Sequence, residues 1–502
     1  MNVNPITRLD YPDPDVIRVE DTYYMVSTTM HFMPGCEILQ SFDLVHWEHA
    51  TYVYETLDHT DAQQLKSGQN IYGQGMWAAS LRYHEGRFCI CFVANDTRKT
   101  YLYTSEKIDG PWKKQLIEGF YHDGSLLFDE DGRNYIVYGN DEIWITELNE
   151  DLTAPKKDGL HRLLVSDHKN PELGYEGSHI QKINGYYYIF LIHSLRDRWM
   201  RTEACFYSDS LEGEFTGGDV LCDDRGYCGQ GVAQGGIVDT PDGKWYAMLF
   251  QDSGAVGRLP ILLPVTWKDH FPVFGQNGHV PEEIEVHSTR PGYIYQPLVG
   301  SDDFCNGLLP RWQFNHDPDP RYYHLDALQG TYTITTREVC TELTQAVNTL
   351  TQRMSYPSCA AEVTVDASAL KEGDVAGLCA LQSCYAAVGI TKHHGKYEVL
   401  MLDKKEDGIL DMTEGTVVES HQIDFRLEAD FCNMKDEARC YYRVNKGDWL
   451  PIGTVHKLYF KLDHFTGCRF GLFCYAAEET GGSACFRDFK YYDTTVNEEQ
   501  VK

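Results

Sequence analysis

Apolar and aromatic stretches recur along the first part of the chain, and each is followed by a short polar turn that leads into another such stretch. An apolar stretch, a tight turn and a second aromatic-rich stretch predict two antiparallel strands joined by a hairpin. In one segment nine residues lead from Asp13 to the turn at Thr22. In four others the same interval separates a slot in the first strand from a turn glycine: Trp77 and Gly86, Asp123 and Gly132, Glu176 and Gly185, and Gln234 and Gly243.

The spacing of these segments predicts a five-bladed β-propeller. They repeat about every 45–65 residues, in the range of propeller blades rather than of helical solenoids. The first strand of every blade lines the central axis, so equivalent slots converge in space. Asp13, Asp123 and Glu176 are therefore expected to face one another at the mouth of the axis, which is the equipment of a glycosidase. The blades are predicted at residues 13–72, 75–112, 121–151, 175–214 and 230–275.

A second all-β domain is predicted after a linker rich in glycine, proline and charge, residues 278–297. From Asp302 onward, short alternating strands are separated by Gly- and Asp-rich turns, which predicts a sandwich of two antiparallel sheets. The predicted domains are thus a catalytic propeller at 1–297 and a β-sandwich at 302–502. Within the sandwich, the clearest strand patterns are 332–335, 361–365, 386–390 and 397–401, and residues 470–474 and 484–489 are interpreted as a closing hairpin.

Composition and charge narrow the classes of partner. The net charge of −31 argues against nucleic acid or an anionic membrane, because a phosphate surface attracts a basic protein. No apolar run approaches the length of a membrane span, and residues 1–5 show no secretion signal. The 16 cysteines include no Cys-x-x-Cys pair and are interpreted as reduced, mostly buried thiols without zinc. We expect a cytoplasmic protein that acts on a small oligosaccharide, and homo-oligomerisation is left open.

Five short motifs occur in order and in blade register. They are Tyr11-Pro12-Asp13-Pro14-Asp15-Val16, Met76-Trp77-Ala78-Ala79-Ser80-Leu81-Arg82, Asp123-Gly124-Ser125-Leu126, Glu176-Gly177-Ser178-His179, and Gln234-Gly235-Gly236-Ile237-Val238-Asp239-Thr240 leading to Arg258. Each is a weak signal alone, but together they resemble glycoside hydrolase family 43, in particular its two-domain β-xylosidases and α-L-arabinofuranosidases. The resemblance spans the whole chain, since such members carry a C-terminal concanavalin-like sandwich that opens with Asp-Asp-Phe, here Asp302-Asp303-Phe304.

The resemblance implies an inverting mechanism. Asp13 would be the general base that activates water, and Glu176 the general acid that protonates the leaving oxygen. Asp123 would be the pKa modulator, which orients the acid and favours its protonated form by like-charge repulsion. Inverting enzymes hold their two carboxyl groups about 6.5–9.5 Å apart to admit water, whereas about 5–5.5 Å would favour retention.

The chain departs from the usual family pattern at several positions. Asp15 stands where many xylosidases have serine, which adds an alternative base, although the blade register favours Asp13. Gln234 replaces an axial histidine that helps to hold a calcium ion or a water cluster, and a neutral carboxamide is a weak calcium ligand. No cofactor or metal is expected to be required, and a structural calcium ion on the axis is left open. Ala79 replaces a proline, and Met30 a phenylalanine that lies against the sugar.

Five positions are predicted to bind substrate. Trp77 occupies the blade-two slot, where an indole can stack on the apolar face of a sugar ring. Arg258 would bring its fork of donors to the acids and the sugar hydroxyls. Met30, Phe32 and Gln234 complete the predicted set. The neighbours of the acids, His122 and His179, are interpreted as hydrogen-bonded framework.

The predicted function is an exo-acting glycosidase that releases a terminal pentose, β-D-xylose or α-L-arabinofuranose, from xylo- or arabino-oligosaccharides. The sequence does not decide between the two sugars, because their hydroxyls can overlay in one pocket; xylosidase activity with arabinofuranosidase side activity is favoured. The alternatives are a non-catalytic carbohydrate-binding propeller, or a glycosidase of different sugar specificity. The three filled acid slots argue against the first. A retaining enzyme for fructosides would carry Asn-Asp-Pro-Asn where this chain has Pro12-Asp13-Pro14-Asp15.

Overall fold

The protein is built from β-strands. The structure is a computed structural model that describes residues 3–493, so parts of the predicted ranges 1–297 and 302–502, namely residues 1–2 and 494–502, lie outside the described residues. Besides strands, the described residues contain four short 3-10 turns, at Lys66–Gly68, Gly254–Val256, Leu343–Gln345 and Cys432–Met434. The predicted all-β class is confirmed. No helix among residues 3–493 has the length and apolar character needed to cross a membrane.

The first region consists of five antiparallel sheets of four strands each. Blade one contains β1 (Asp15–Val19), β2 (Thr22–Val26), β4 (Gly35–Ser41) and β5 (Glu48–Tyr54), with β3 (Phe32–Met33) between its second and third strands. Blade two contains β6 (Met76–His84), β7 (Arg87–Ala94), β8 (Lys99–Ser105) and β9 (Lys113–Ile117). Blade three contains β10 (Ser125–Phe128), β11 (Asn134–Asn140), β12 (Glu142–Leu148) and β13 (His161–Ser166). Blade four contains β14 (Glu176–Ile183), β15 (Tyr186–Ser194), β16 (Arg201–Ser208) and β17 (Thr216–Leu221). Blade five contains β18 (Val232–Asp239), β19 (Trp245–Asp252), β20 (Arg258–Lys268) and β21 (Phe271–Phe274).

The first strands of the blades form a closed ring. Strand β1 contacts β6 and β18, β10 contacts β6 and β14, and β14 contacts β18. The predicted five-bladed propeller is therefore confirmed. In blades two, four and five the first strand carries a bulge near its start, where pairing shifts after Met76, Glu176 and Ala233. A bulge re-aims the side chains around it, and here it does so at the end of the axis where the slot residues lie.

The second region is a sandwich of two large sheets. Its strands are β22 (Gln313–Asn315), β23 (Tyr323–Asp326), β24 (Thr331–Thr335), β25 (Leu350–Arg353), β26 (Ser358–Asp366), β27 (Val375–Leu381), β28 (Ala386–His393), β29 (Lys396–Lys404), β30 (Leu410–Met412), β31 (Thr416–Val418), β32 (Gln422–Asp430), β33 (Glu437–Val444), β34 (Leu450–Lys457), β35 (Arg469–Tyr475) and β36 (Ser483–Asp493). One sheet runs β3-β22-β25-β35-β27-β28-β29-β30 with β31 beside β29, and the other runs β23-β24-β36-β26-β32-β33-β34. The four predicted strand patterns all lie in strands, and alternation such as buried Ile423, Phe425 and Leu427 on β32 supplies the core between the sheets.

The predicted closing hairpin is wrong. Strand β35 pairs with β25 and β27 in one sheet, whereas β36 pairs with β24 and β26 in the other. The chain between them therefore crosses from one layer of the sandwich to the other. Both strands bury apolar residues in the common core, among them Leu472 and Phe486. Each strand has hydrogen-bonded neighbours on both sides in its own sheet, so the two do not pair with each other.

The two regions share a sheet and a buried ion pair. Strand β3 of blade one pairs with β22, so the propeller donates an edge strand to the sandwich. Beside it, the Arg353 guanidinium contacts Glu37 Oε2 at 2.8 Å and donates from Nε to the Asp10 carbonyl at 2.9 Å. Burial opposes ionisation of Glu37, but the charge of Arg353 and the contact with His49 outweigh it and lower the pKa of Glu37 to about 2. The pair is therefore ionised at neutral pH.

We expect Arg353→Met to destabilise the protein by about 3–5 kcal/mol, because it leaves the Glu37 carboxylate buried without its guanidinium. Urea or thermal unfolding followed by circular dichroism measures the loss. Arg439→Met is the matched control, since Arg439 is 41% exposed and pairs with Glu437 at the surface, where a pair is worth about 0–1 kcal/mol. Equal losses in the two variants would contradict a stabilising role for the buried pair.

Candidate active site

Asp13 lies at the entrance to blade one, two residues before β1. Its φ of 53° is in the left-handed region, which few residues other than glycine adopt. Its carboxyl group is buried and receives one hydrogen bond at each oxygen, from the Thr28 hydroxyl at 2.6 Å and from Arg258 Nη1 at 3.0 Å. A carboxylate has about four acceptor positions, so Asp13 is oriented and can still bind a water molecule.

Arg258 is held from both sides. Its backbone N–H donates to Asp10 Oδ1 at 2.8 Å, and its guanidinium lies 4.4 Å from the ring of Phe465. Gly257 before it has a φ of 106°, and a Cβ at this position would lie 2.3 Å from Asp10 Oδ1. The close approach of blade five to Asp10 thus requires glycine.

Asp123 is the equivalent entrance residue of blade three. It has a φ of 46°, is buried, and accepts the backbone N–H of Gly177 at Oδ2 over 3.1 Å. This bond ties it to the residue that follows Glu176. Burial, reinforced by the charges of Glu176 and Asp13, raises the pKa of Asp123 to about 6, against the opposing effect of His122.

Glu176 opens the first strand of blade four. Its side chain is 22% exposed, so it is the most accessible of the three acids. The Asn140 side chain donates to its Oε2 at 2.6 Å, and His122 Nε2 lies 3.6 Å from the same oxygen. With Oε2 occupied in this way, Oε1 is the oxygen that can present a proton to a bound ligand.

Aromatic rings from both regions lie beside the acids. The ring of Trp77 lies 5.7 Å from that of His122 and 5.6 Å from that of Phe465. Phe465 belongs to the sandwich segment between β34 and β35, and its ring also covers Arg258. Trp77 Nε1 is buried without a hydrogen-bond partner, so it can donate to a sugar hydroxyl.

Gln234 enters the ring of site residues from blade five. It has a φ of 59°, its N–H donates to Glu203 Oε2 at 2.7 Å, and a Cβ on Gly177 would lie 2.8 Å from its amide carbon. The structure thus brings Asp13, Arg258, Trp77, Asp123, Glu176 and Gln234 together through successive contacts.

The two remaining predicted site residues, Met30 and Phe32, pack against other parts of the structure. Met30 is buried, with a φ of 52°, and its backbone pairs with Met76 in an isolated bridge. Phe32 is not brought to the acids. Because β3 pairs with the sandwich, its ring is buried in the cluster that contains Leu343 and Tyr385, 3.4 Å from the Arg469 guanidinium.

Asp15 is bound inside the axis rather than at its mouth. Its Oδ2 accepts from Arg82 Nη1 and from the Leu81 N–H, both at 2.7 Å, and its Oδ1 contacts His179 Nδ1 at 3.1 Å. Burial opposes its ionisation, but Arg82 and His179 outweigh it and lower the pKa of Asp15. Asp15 therefore fastens three blades together, which leaves Asp13 as the candidate base.

The donors on the axis do not fit a calcium ion. Calcium takes about 6–8 oxygen ligands, whereas the Asp15 oxygens are occupied and Gln234 offers one neutral carbonyl. Among residues 3–493, the only group of three or more His, Cys, Asp or Glu ligand atoms close to one another is His122, Asp123 and Glu176. It includes an imidazole, which suits a hard cation poorly.

Four site residues escaped the sequence reasoning. Thr28 follows the second strand of blade one, Asn140 ends the second strand of blade three, and neither belongs to a motif. Phe465 follows no repeat, because the sandwich segment has no counterpart in the propeller. His122 was interpreted as hydrogen-bonded framework, but its Nε2 is buried and has no hydrogen-bond partner. Adjacency to Asp123 was the one signal available for it.

The family of the chain follows from this site and from comparison with known proteins. Residues 3–272 match the family model described as Glycosyl hydrolases family 43. Residues 301–492 match the model described as Beta xylosidase C-terminal Concanavalin A-like domain. The chain belongs to glycosyl hydrolase family 43, and it is a glycoside hydrolase. The predicted family and the concanavalin-like form of the sandwich are confirmed.

Similar proteins carry two kinds of name. A beta-xylosidase of Formosa agariphila is 26% identical over 96% of this chain and 88% of that protein. A non-reducing end alpha-L-arabinofuranosidase of Bacteroides ovatus is 24% identical over 82% of this chain and 79% of that protein. A Bacteroides eggerthii structure described as a bifunctional GH43-CE superposes with a TM-score of 0.91 at 42% identity over 98% of this chain. This chain spans 63% of that longer protein.

We expect Phe465→Ala to lower kcat/KM for small glycosides about tenfold, mainly by raising KM. The variant loses a ring that covers Arg258 and Trp77, and a cation–π contact alone is worth about 0.5–2 kcal/mol. Michaelis kinetics measure the effect. Leu462→Ala on the same segment is the control, since Leu462 is 75% exposed, and a similar loss there would show that the segment, and not the ring, is responsible.

Proposed function

We propose that this chain is an exo-acting, inverting glycosidase that removes a terminal pentose from short xylo- or arabino-oligosaccharides, with β-D-xylose preferred over α-L-arabinofuranose. The observation that carries the proposal is the meeting of three carboxyl groups from three blades, each with different partners. Asp13 is held by a guanidinium and a hydroxyl, Asp123 by a backbone N–H, and Glu176 by an amide. These differences in partners support the assignment of one base, one accessible acid and a third acid that assists it.

Asp13 is the base in this proposal. Arg258 and Thr28 fix the carboxylate, so that a free lone pair can accept a proton from the attacking water. Water then adds to the anomeric carbon from the Asp13 side while the bond to the leaving oxygen breaks on the opposite face. The attack inverts the anomeric configuration.

Glu176 is the acid, and Asp123 supports it. Glu176 gives its proton to the leaving oxygen, which would otherwise depart as an alkoxide. Asp123 fixes the neighbouring Gly177 N–H, and its negative charge favours the protonated form of Glu176. The two acids therefore differ in role because one is buried and bonded to backbone while the other is open to the ligand.

The ring that the second region adds to the site supports attack at chain ends. Phe465 from the sandwich lies over Trp77 and Arg258, so we infer that it limits the space for a ligand on that side of the acids. A pocket closed on one side accepts a terminal sugar ring and leaves the rest of the oligosaccharide outside. The names of the relatives, beta-xylosidase and alpha-L-arabinofuranosidase, support a pentose in that position.

We expect Glu176→Gln to reduce kcat on xylobiose about 10²–10⁴-fold, the contribution of a general acid. Initial rates on xylobiose and on nitrophenyl β-D-xyloside and α-L-arabinofuranoside measure the loss and give the sugar preference. The matched control is Glu172→Gln, an exposed residue of the same connection, which should leave the rates unchanged. Turnover of none of these substrates by folded wild-type protein would reject the pentosidase, and binding without turnover would favour a carbohydrate-binding propeller.

Proton NMR of the first product decides the stereochemistry. We expect the α-anomer of xylose to appear first from a β-xyloside, because water attacks opposite the leaving group. Mutarotation then equilibrates the anomers, so spectra are taken within the first minutes at high enzyme concentration. Initial release of the β-anomer would mean retention and would remove Asp13 from the role of base.

A further inference from the structure

His122 occupies a fixed place between the two acids of blades three and four. It precedes Asp123 directly, and its backbone carbonyl accepts the Gly139 N–H at 3.0 Å. Its ring packs against Trp77 at 5.7 Å. The side chain is 21% exposed, so most of the imidazole is packed against the protein.

The imidazole faces both carboxyl groups at the same distance. Nε2 lies 3.6 Å from Asp123 Oδ2 and 3.6 Å from Glu176 Oε2. Neither separation is a hydrogen bond, and Nε2 is buried without any other partner. A neutral imidazole nitrogen would lose its hydration here without gaining a hydrogen bond. The position therefore favours an imidazolium cation between the two carboxylates.

We propose that His122, as an imidazolium placed between Asp123 and Glu176, is a positioning residue that sets the protonation of the general acid and with it the alkaline limit of activity. The inference rests on the proposed role of Glu176 as the acid. Asp123 favours the proton on Glu176 by repulsion between like charges, and His122 opposes it by attraction between unlike charges. The strength of the acid is the balance of the two.

The charges around His122 support this state. The negative charge of Asp123 is the main cause that raises the pKa of His122 to about 9; burial opposes it, and Glu176 and Asp13 reinforce it. Trp77, whose ring packs against the imidazole, is neutral, and so is Asn140, which donates to Glu176 Oε2. His122 therefore keeps its charge through the neutral range, where Glu176 must hold its proton.

The sign of the effect can be tested. Removing a positive charge beside a carboxyl group makes that group hold its proton to higher pH. In His122→Gln we expect the alkaline limb of the kcat/KM profile on xylobiose to move up by about 1–3 pH units, the usual effect of a charge within about 4–6 Å. His122→Lys, which keeps a positive charge, should leave the limb close to that of the wild type.

The control variant is His84→Gln, since His84 lies in the hairpin at the opposite end of blade two, and it should leave the profile unchanged. An unmoved alkaline limb in His122→Gln, including a uniform loss of rate at every pH, would overturn the proposal. So would an equal shift in His122→Lys. If Glu176→Gln keeps full activity on xylobiose, the proposed acid itself is wrong, which is a separate outcome.

Titration of the wild-type histidines provides a second measurement that does not need activity. With labelled imidazole rings, NMR should show the resonance that disappears in His122→Gln to titrate near pH 9, and at lower pH in Asp123→Asn. A His122 ring that is already neutral at pH 7 would overturn the proposal. A folded His122→Gln is verified by its thermal unfolding.

Discussion

The carboxylate of Asp10 is the constraint on which the arrangement of the pocket depends. It is buried and accepts two backbone N–H groups at 2.8 Å each, from Arg258 of blade five and from Gly467 of the sandwich. A buried carboxylate is stable only when such donors surround it. A Cβ at Gly467 would lie 2.1 Å from the Val256 carbonyl, so the approach of the two regions excludes larger residues. One side chain thus fixes Arg258, the Phe465 segment and the chain that leads to Asp13.

The four acids near the axis differ in the groups that bind their carboxyl oxygens. These acids are Asp13, Asp15, Asp123 and Glu176. Asp15 and Asp13 stand two positions apart in one motif, yet Asp15 is bound by Arg82, Leu81 and His179 within the axis. Asp13 keeps free acceptor positions towards the pocket. Asp123 and Glu176 both lie 3.6 Å from Nε2 of the same imidazole, that of His122. Asp15 thus holds the blades together inside the axis, whereas the candidate catalytic acids lie at the end of the axis.

The repeat made the propeller and its acids predictable, because the same hairpin recurs and its slots converge. Nevertheless, the equal nine-residue intervals to the turn glycines do not correspond to equivalent positions in the strands. Strand pairing aligns Glu176 with Met76 and Ala233, which all precede a bulge, so the true counterpart of Trp77 and Gln234 is Gly177. The bulge brings Glu176 to the mouth all the same. Phe32, the false closing hairpin and Phe465 were beyond prediction. Each depends on contacts between segments far apart in sequence, for which local pattern gives no signal.

The contribution of Phe465 to the pocket has a consequence for how the protein comes into being. Asp13 is synthesised some 450 residues before Phe465, whose ring covers the arginine that binds Asp13. Strand β3 of the first blade likewise pairs with β22, which is synthesised much later. A chain that stops before Phe465 therefore contains all three acids and still lacks the ring beside Arg258 and Trp77. Full hydrolytic activity therefore indicates that the sandwich has folded against the propeller.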